Sequence, residues 1–203
     1  MNFIRHRGQR AARFRRALVC SLVLTAAPLA AVAQLRDNLY AVSSISDRVA
    51  WAAGAFGTIV HSSDGGATWT RQASTTEEHL FGIGFADARH GWAVGRTGVI
   101  LRSSDGGATW TPQASPVADR HLFDVRAIDA NTAAAIGDWG TVLQTRDGGA
   151  TWENRSFDRD VILNGQCWRG AERGWVVGEG GVILSTTDGG RSWVEQESGV
   201  YKT

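Results

Sequence analysis

Four aspartates recur at near-constant spacing: Asp64, Asp105, Asp147 and Asp188 lie 41, 42 and 41 residues apart. Each opens an Asp-Gly-Gly step that runs, after a Thr or Ser, into a tryptophan. Carboxylates can hold metals or move protons, but a group present in every copy of a repeat serves the repeat. At such a step a short carboxylate accepts bonds from turn amides, while glycine takes the positive-φ position. The step also lacks the spaced oxygen ligands of a calcium loop. Asp64, Gly66 and Trp69, with Asp105, Gly107 and Trp110, Asp147, Gly149 and Trp152, and Asp188, Gly190 and Trp193, therefore read as structural. The tryptophans offer large apolar area to fill the space between repeats.

The other candidate groups are scattered. Glu77, Asp119, Asp138, Asp158 and Glu179 could supply a carboxylate pair for sugar hydrolysis, but no motif selects one of them. His79 and His121 each precede Leu-Phe at the same point of consecutive repeats, which favours hydrogen bonding at the start of a strand. His61 and His90 are isolated and expected to be exposed. Zinc-ligand spacing, a phosphate loop and a nucleophile elbow are all missing from the sequence. The expectation is a protein with no catalytic residue, cofactor or metal.

The elements that hold these residues follow from the repeat. Ser62–Trp69 and Ser103–Trp110 are identical in sequence, and Thr145–Trp152 and Thr186–Trp193 are close variants. A period of about 41 residues, without helical periodicity, fits one four-stranded blade of a β-propeller. Repeats run over about 38–74, 79–115, 121–157 and 162–198. In the second copy the strands are expected at Leu80–Phe85, Trp92–Val94, Val99–Ser103 and Thr109–Trp110. A Gly-x-x-Gly turn joins strands two and three. The fold class is all-β, a propeller of four-stranded antiparallel blades with strand one innermost. A closed four-bladed ring, an open arc and part of a larger ring all satisfy the repeat. An open arc would favour a homodimer. Asn164 and Gln166 replace the Phe81 and Ile83 of the second copy, which points to an altered or exposed face in the fourth.

The chain has 203 residues, 43% of them hydrophobic, with 21 Lys+Arg against 20 Asp+Glu. That length suffices for a buried core. The charge is unevenly placed: residues 1–33 hold six arginines and no acid, leaving 15 basic against 20 acidic residues in 34–203, a net of −5. Nucleic-acid binding, which needs a basic footprint, is excluded. The arginines precede an apolar run from Ala17 to Ala27 and an Ala31-Val32-Ala33 site, the pattern of a secretory signal peptide cleaved before Gln34. Export to the periplasm or outside the cell follows. The mature chain keeps a single cysteine, Cys167, expected to be a small buried apolar residue.

Function, on this reading, belongs to residues that vary between copies. In a propeller the Asp-Gly-Gly turns mark one face, and the Gly-x-x-Gly turns share the other with the inter-blade loops. The turn tips read Ala55-Phe56, Arg96-Thr97, Asp138-Trp139 and Glu179-Gly180. A constant frame with varied tips is how scaffolds present binding groups. Phe56, Arg96, Asp138, Trp139 and Glu179, with Arg120 and Arg159 from the loops, are the candidate binding residues, led by the two aromatics.

The Ser-x-Asp-x-Gly-x-Thr-Trp string resembles the Asp-box, or BNR repeat, of sialidase-type propellers. The longer phrase from Gly95 to Trp110, repeated from Gly137 to Trp152, Gly178 to Trp193 and Gly54 to Trp69, resembles the photosystem II stability/assembly factor family. The resemblance spans essentially all of 38–198. It implies a non-enzymatic propeller that binds a protein partner in the cell envelope or at a membrane complex, in the thylakoid lumen if the organism is photosynthetic. Members of that family usually carry more than four repeats and an arginine-rich face; here Arg96, Arg120 and Arg159 are interleaved with acids. The alternative is a sialidase-like carbohydrate-binding propeller, or a glycosidase remnant, with a glycan as ligand. Sialidase chemistry needs a tyrosine nucleophile, and only Tyr40, aligned with Phe81 and Phe123 as a packing position, and Tyr201 near the terminus exist.

Overall fold

Sixteen strands build four meanders in a computed structural model that describes residues 37–199. The expected signal peptide and its cleavage site lie outside the described residues. Blade 1 is β1 (Leu39–Ser44), β2 (Ala50–Gly54), β3 (Ile59–Ser62) and β4 (Thr70–Gln72). Blade 2 is β5 (Leu80–Phe85), β6 (Gly91–Gly95), β7 (Ile100–Ser103) and β8 (Thr111–Pro112). Blade 3 holds β9 (Leu122–Ala127), β10 (Ala133–Gly137), β11 (Val142–Thr145) and β12 (Glu153–Asn154). Blade 4 holds β13 (Leu163–Arg169), β14 (Arg173–Gly178), β15 (Ile183–Thr186) and β16 (Val194–Glu195). Every sheet is antiparallel with its strands in sequence order. The first strands of successive blades pack on one another, β1 on β5, β5 on β9 and β9 on β13, so strand one is innermost as expected. Strand four begins two residues later than the sequence pattern predicts, at Thr111 and not Thr109 in the second blade.

The Asp-Gly-Gly turns are alike in all four blades. In the first, Ser62 Oγ donates to Asp64 Oδ1 at 2.8 Å and accepts the Gly66 N–H at 2.9 Å. Asp64 Oδ1 accepts the Thr68 N–H at 2.9 Å, and its Oδ2 accepts the Thr68 hydroxyl at 2.6 Å. Gly65 and Gly66 sit at φ 76° and 86°, where a side chain is strained. These bonds hold the Asp64 carboxyl down at about 2 and that of Asp147 likewise, led by the Thr68 and Thr151 hydroxyls, and they lower Asp105 and Asp188 too. The turns also staple blades together: the Gly106 carbonyl accepts from Trp51 Nε1 at 2.9 Å and Gln72 Nε2 at 3.1 Å of the preceding blade.

Three apolar clusters fill the three boundaries between consecutive blades. Trp51, Ala53 and Ile59 of blade 1 meet Leu80, Ile83, Phe85, Ala93 and Leu101 of blade 2, with Trp51 and Phe85 stacked 3.6 Å apart between ring centroids. Trp92, Val94 and Ile100 meet Leu122, Val125, Ala135 and Leu143 of blade 3. Ile136 and Val142 meet Leu163, Val176 and Leu184 of blade 4. Fully burying one such side chain stabilises by roughly 1.5–3 kcal/mol, so these seams dominate the stability of the fold.

Several sequence-based expectations change. Trp110 and Trp152 are buried between blades and Trp193 packs against the third cluster, but Trp69 is only half-buried, because no blade precedes the first among the described residues. Gln166 is buried and not on an exposed face: its Nε2 donates to the Ala134 carbonyl at 3.1 Å, and its Oε1 accepts from Trp168 Nε1 at 2.8 Å. Cys167 is exposed, since it alternates with Gln166 onto the side of blade 4 away from blade 3. His61 and His90 are half-buried, His61 against the Trp51 ring and His90 bonded to Asp87 at 2.9 Å.

Candidate protein-interaction face

Three of the Gly-x-x-Gly sequences fold into a single 3-10 turn, Ala55–Gly57, Arg96–Gly98 and Glu179–Gly181 in blades 1, 2 and 4, and in blade 3 residues 138–140 form a plain turn. The first glycine is required by crowding. A Cβ on Gly95 would lie 1.9 Å from the His79 carbonyl oxygen, and the first glycines of the other three turns face the same obstruction. That carbonyl is occupied, because it accepts the Arg96 N–H at 2.9 Å. The tip residue then enters the left-handed region: Phe56 at φ 53°, Thr97 at φ 52° and Trp139 at φ 51°. For residues other than glycine this costs roughly 1–2 kcal/mol. Blade 4 carries Gly180 at the same place.

The turns are tied down despite that strain. His79 Nδ1 accepts the Phe56 N–H at 3.4 Å, and His121 Nδ1 accepts the Thr97 N–H at 3.2 Å, each across a blade boundary. Gly57 N–H reaches the Glu78 carbonyl at 2.9 Å and Gly140 N–H the Val161 carbonyl at 2.8 Å, fixing the turns to the inter-blade loops. The side chains at the two aromatic tips nevertheless point out: Phe56 is 63% exposed and Trp139 is 55% exposed. Phe56 packs one side of its ring against His79 and leaves the rest to solvent. Strained backbone of this kind clusters at functional sites.

Arg120, Trp139 and Arg159 are brought together around a concave site of about 590 Å³ that also includes Phe157 and Asp160. There Arg120 Nη1 donates to Thr141 Oγ1 at 3.2 Å, and Arg159 pairs with Glu195 at 3.0 Å. Phe56 borders a separate hollow of about 670 Å³ under its own turn, with Ser74, Thr75 and Glu77. Arg96 is exposed and stands 4.0 Å from Glu78. Glu179 is exposed on the fourth turn. Asp138 is committed internally, since both its oxygens accept the His121 N–H at 3.1 Å.

A further set of residues escaped the sequence reading. Each innermost strand is irregular at its second residue, between Leu39 and Ala41, Leu80 and Gly82, and Leu163 and Gly165, and correspondingly at Phe123. A bulge re-aims the extra side chain. Tyr40, Phe81, Phe123 and Asn164 consequently line a channel of about 610 Å³ between the innermost strands, with Asp124 and Gln166 deeper in it. Burial raises the Asp124 carboxyl above its usual range, and Arg126 opposes the shift. Ring centroids of Tyr40 and Phe81 are 5.6 Å apart, and those of Phe81 and Phe123 are 5.7 Å apart. His79 joins this row to the Phe56 tip at 5.0 Å. The available signal was the pair of adjacent apolar residues, Leu39-Tyr40, Leu80-Phe81 and Leu122-Phe123, which breaks period-two alternation. Among the described residues no group of three or more His, Cys, Asp or Glu is placed to hold a metal ion.

The family model described as photosynthesis system II assembly factor YCF48 matches residues 72–133 and 115–198. The chain belongs to this family. Among solved structures, YCF48 bound to a D1 peptide is similar at a TM-score of 0.54 and 16% identity, covering 78% of this chain and 82% of that one. YCF48 from Cyanidioschyzon merolae aligns at a TM-score of 0.63 and 21% identity, over 78% of this chain and 56% of that one. A GH74 xyloglucanase from Xanthomonas campestris aligns at 0.60 and 15% identity, over 78% of this chain but 30% of its own. At these identities the structures establish the fold, and the YCF48 family model establishes membership. No curated protein matches the chain.

Proposed function

We propose that this YCF48-family chain is an exported, non-enzymatic module that binds a protein segment across the face bearing the Gly-x-x-Gly turns. The observation that carries the reading is the pair of left-handed tips, Phe56 and Trp139, whose rings are exposed on turns tied by backbone bonds to the inter-blade loops. An aromatic on so stiff a platform loses little further entropy on contact, and such anchors dominate interface energy. Arg96, Arg120 and Arg159 supply polar contacts around them, and Glu179 favours basic or polar groups on the partner. The family relationship, and a similar structure that holds a D1 peptide, support a peptide or protein as the ligand class. The lumenal role of photosystem assembly factors agrees with an exported chain.

A glycan is the second reading. The Tyr40–Phe81–Phe123 row above Asp124, Asn164 and Gln166 combines ring faces with polar groups, as sugars require, and GH74 enzymes share the fold.

A photo-reactive residue placed at position 139, or at Arg146 near the Asp-Gly-Gly turns, distinguishes the faces in the producing cell. The reading expects protein adducts from position 139 alone. Adducts only from 146 would place the partner on the other face, and glycoside turnover by the purified protein would make it an enzyme.

A further inference from the structure

Histidine stands before the first-strand leucine in blades 2 and 3, where blades 1 and 4 carry Asn38 and Ile162. Each of the two rings turns Nδ1 toward the strained tip of the preceding blade. His79 accepts the Phe56 N–H at 3.4 Å, and His121 accepts the Thr97 N–H at 3.2 Å. Both tips lie in the left-handed region, at φ 53° and 52°. A ring nitrogen that accepts a backbone N–H carries a lone pair, so each imidazole is neutral with its proton on Nε2. Once protonated, both nitrogens of a ring carry hydrogens, and two donors then face each other across the blade boundary. Imidazole is the side chain whose charge ordinarily changes between about pH 5 and 8.

We propose that His79 and His121 form a pH-sensitive latch on the first two Gly-x-x-Gly tips: neutral rings hold Phe56 and Thr97 in place, and protonated rings release them. The left-handed backbone is intrinsically unfavourable there, so loss of the acceptor favours other tip conformations. The third tip has no such latch. Its counterpart residue in blade 4 is Ile162, and the Gly140 N–H of that turn bonds instead to the Val161 carbonyl at 2.8 Å. The charged and titratable groups packed around His79 are Glu78 beside it in the chain, Tyr40 of β1 at 6.2 Å between ring centroids, and Arg96, whose N–H bonds to the His79 carbonyl. Around His121 they are Arg120 beside it and Asp138, whose carboxylate accepts the His121 N–H at 3.1 Å. Each ring thus has one acid and one arginine next to it. Phe56 is an anchor of the binding face proposed above, so partner affinity should fall as His79 gains a proton. That consequence rests on the binding reading; the latch itself does not.

Amide hydrogen exchange of the free protein at about pH 8 and pH 5, corrected for its intrinsic pH dependence, tests the latch, with ring 15N spectra reporting protonation. Protection at Phe56 and Thr97 should fall about threefold or more as the rings gain a proton, the scale that one such bond sustains. Protection at Gly140 should hold. His79→Asn, whose Oδ1 accepts at either pH, should keep Phe56 protected and leave Thr97 sensitive, and His121→Asn should do the reverse. These variants also separate the latch from His61 and His90. Rings that stay neutral at the lower pH, or tips that keep their protection beside protonated rings, would overturn the proposal. So would an equal loss at Gly140, or a loss at Phe56 in the folded His79→Asn variant. No partner enters the measurement, so a wrong binding face would leave these results unchanged.

Discussion

The Nδ1 atom of His79 accepts the backbone N–H of Phe56 across the boundary between blades 1 and 2, at 3.4 Å. The ring that packs along the channel mouth is therefore the same ring that holds the tip of the neighbouring turn in its left-handed conformation. His121 repeats the arrangement with Thr97 at 3.2 Å.

Removing the acceptor should loosen the tip selectively. His79→Ala is expected to cost about 0.5–1.5 kcal/mol, the net worth of one such bond, and to speed hydrogen exchange at the Phe56 amide more than at the Thr97 amide. His79→Asn, whose Oδ1 can replace the lost acceptor, should recover most of the protection. Equal acceleration at both amides would contradict this role.

Relieving the strain at a tip should stabilise the fold and weaken binding together. Trp139→Gly matches the glycine that blade 4 carries at position 180 and should raise stability by roughly 1 kcal/mol, as the left-handed penalty disappears. Partner affinity should fall by about 2 kcal/mol or more. Calorimetry of the free protein and titration of the partner give the two signs; unchanged affinity would remove Trp139 from the interface.

Gln166 offers a test of the last seam. Gln166→Ala leaves the Trp168 indole N–H and the Ala134 carbonyl without their partner and should cost about 1–3 kcal/mol in urea unfolding. The apolar residue found at this position in the second and third copies, introduced as Gln166→Val, should cost comparably, because it fills the space but leaves both polar groups unmatched.

The Asp-Gly-Gly turns make stability depend on acid pH. Asp64 and Asp147 have carboxyls lowered from 3.8 to about 2 in the folded chain. A group lowered on folding contributes stability that is complete above its unfolded value and is lost as pH falls through its folded one. The melting temperature should therefore drop progressively from about pH 4 toward pH 2. Asp64→Asn should lower it at pH 7 and show a shallower acid loss than the wild type. Parallel curves for the two proteins would mean that the turn carboxylate is not responsible.

Local chemistry was enough to specify the repeat. The Ser/Thr-x-Asp-Gly-Gly-x-Thr/Ser-Trp turn closes with bonds between residues two to four apart, and the Gly-x-x-Gly tip bonds mainly to adjacent elements, so their types and spacing predict four meanders, strand one innermost. The varied tips could be named for the same reason. Tertiary structure decided everything that depends on which surface meets another. Phe56 and Trp139 keep their rings exposed although their turns bond to neighbouring elements, whereas Asp138 turns inward to the His121 amide. The bulge in each innermost strand moves Tyr40, Phe81 and Phe123 from packing positions into the channel. Gln166 is buried and Cys167 exposed, one residue apart, because adjacent strand residues face opposite sides and blade 3 covers only one of them. A side chain's type is fixed locally, but its burial depends on neighbours about 40 residues away in the chain.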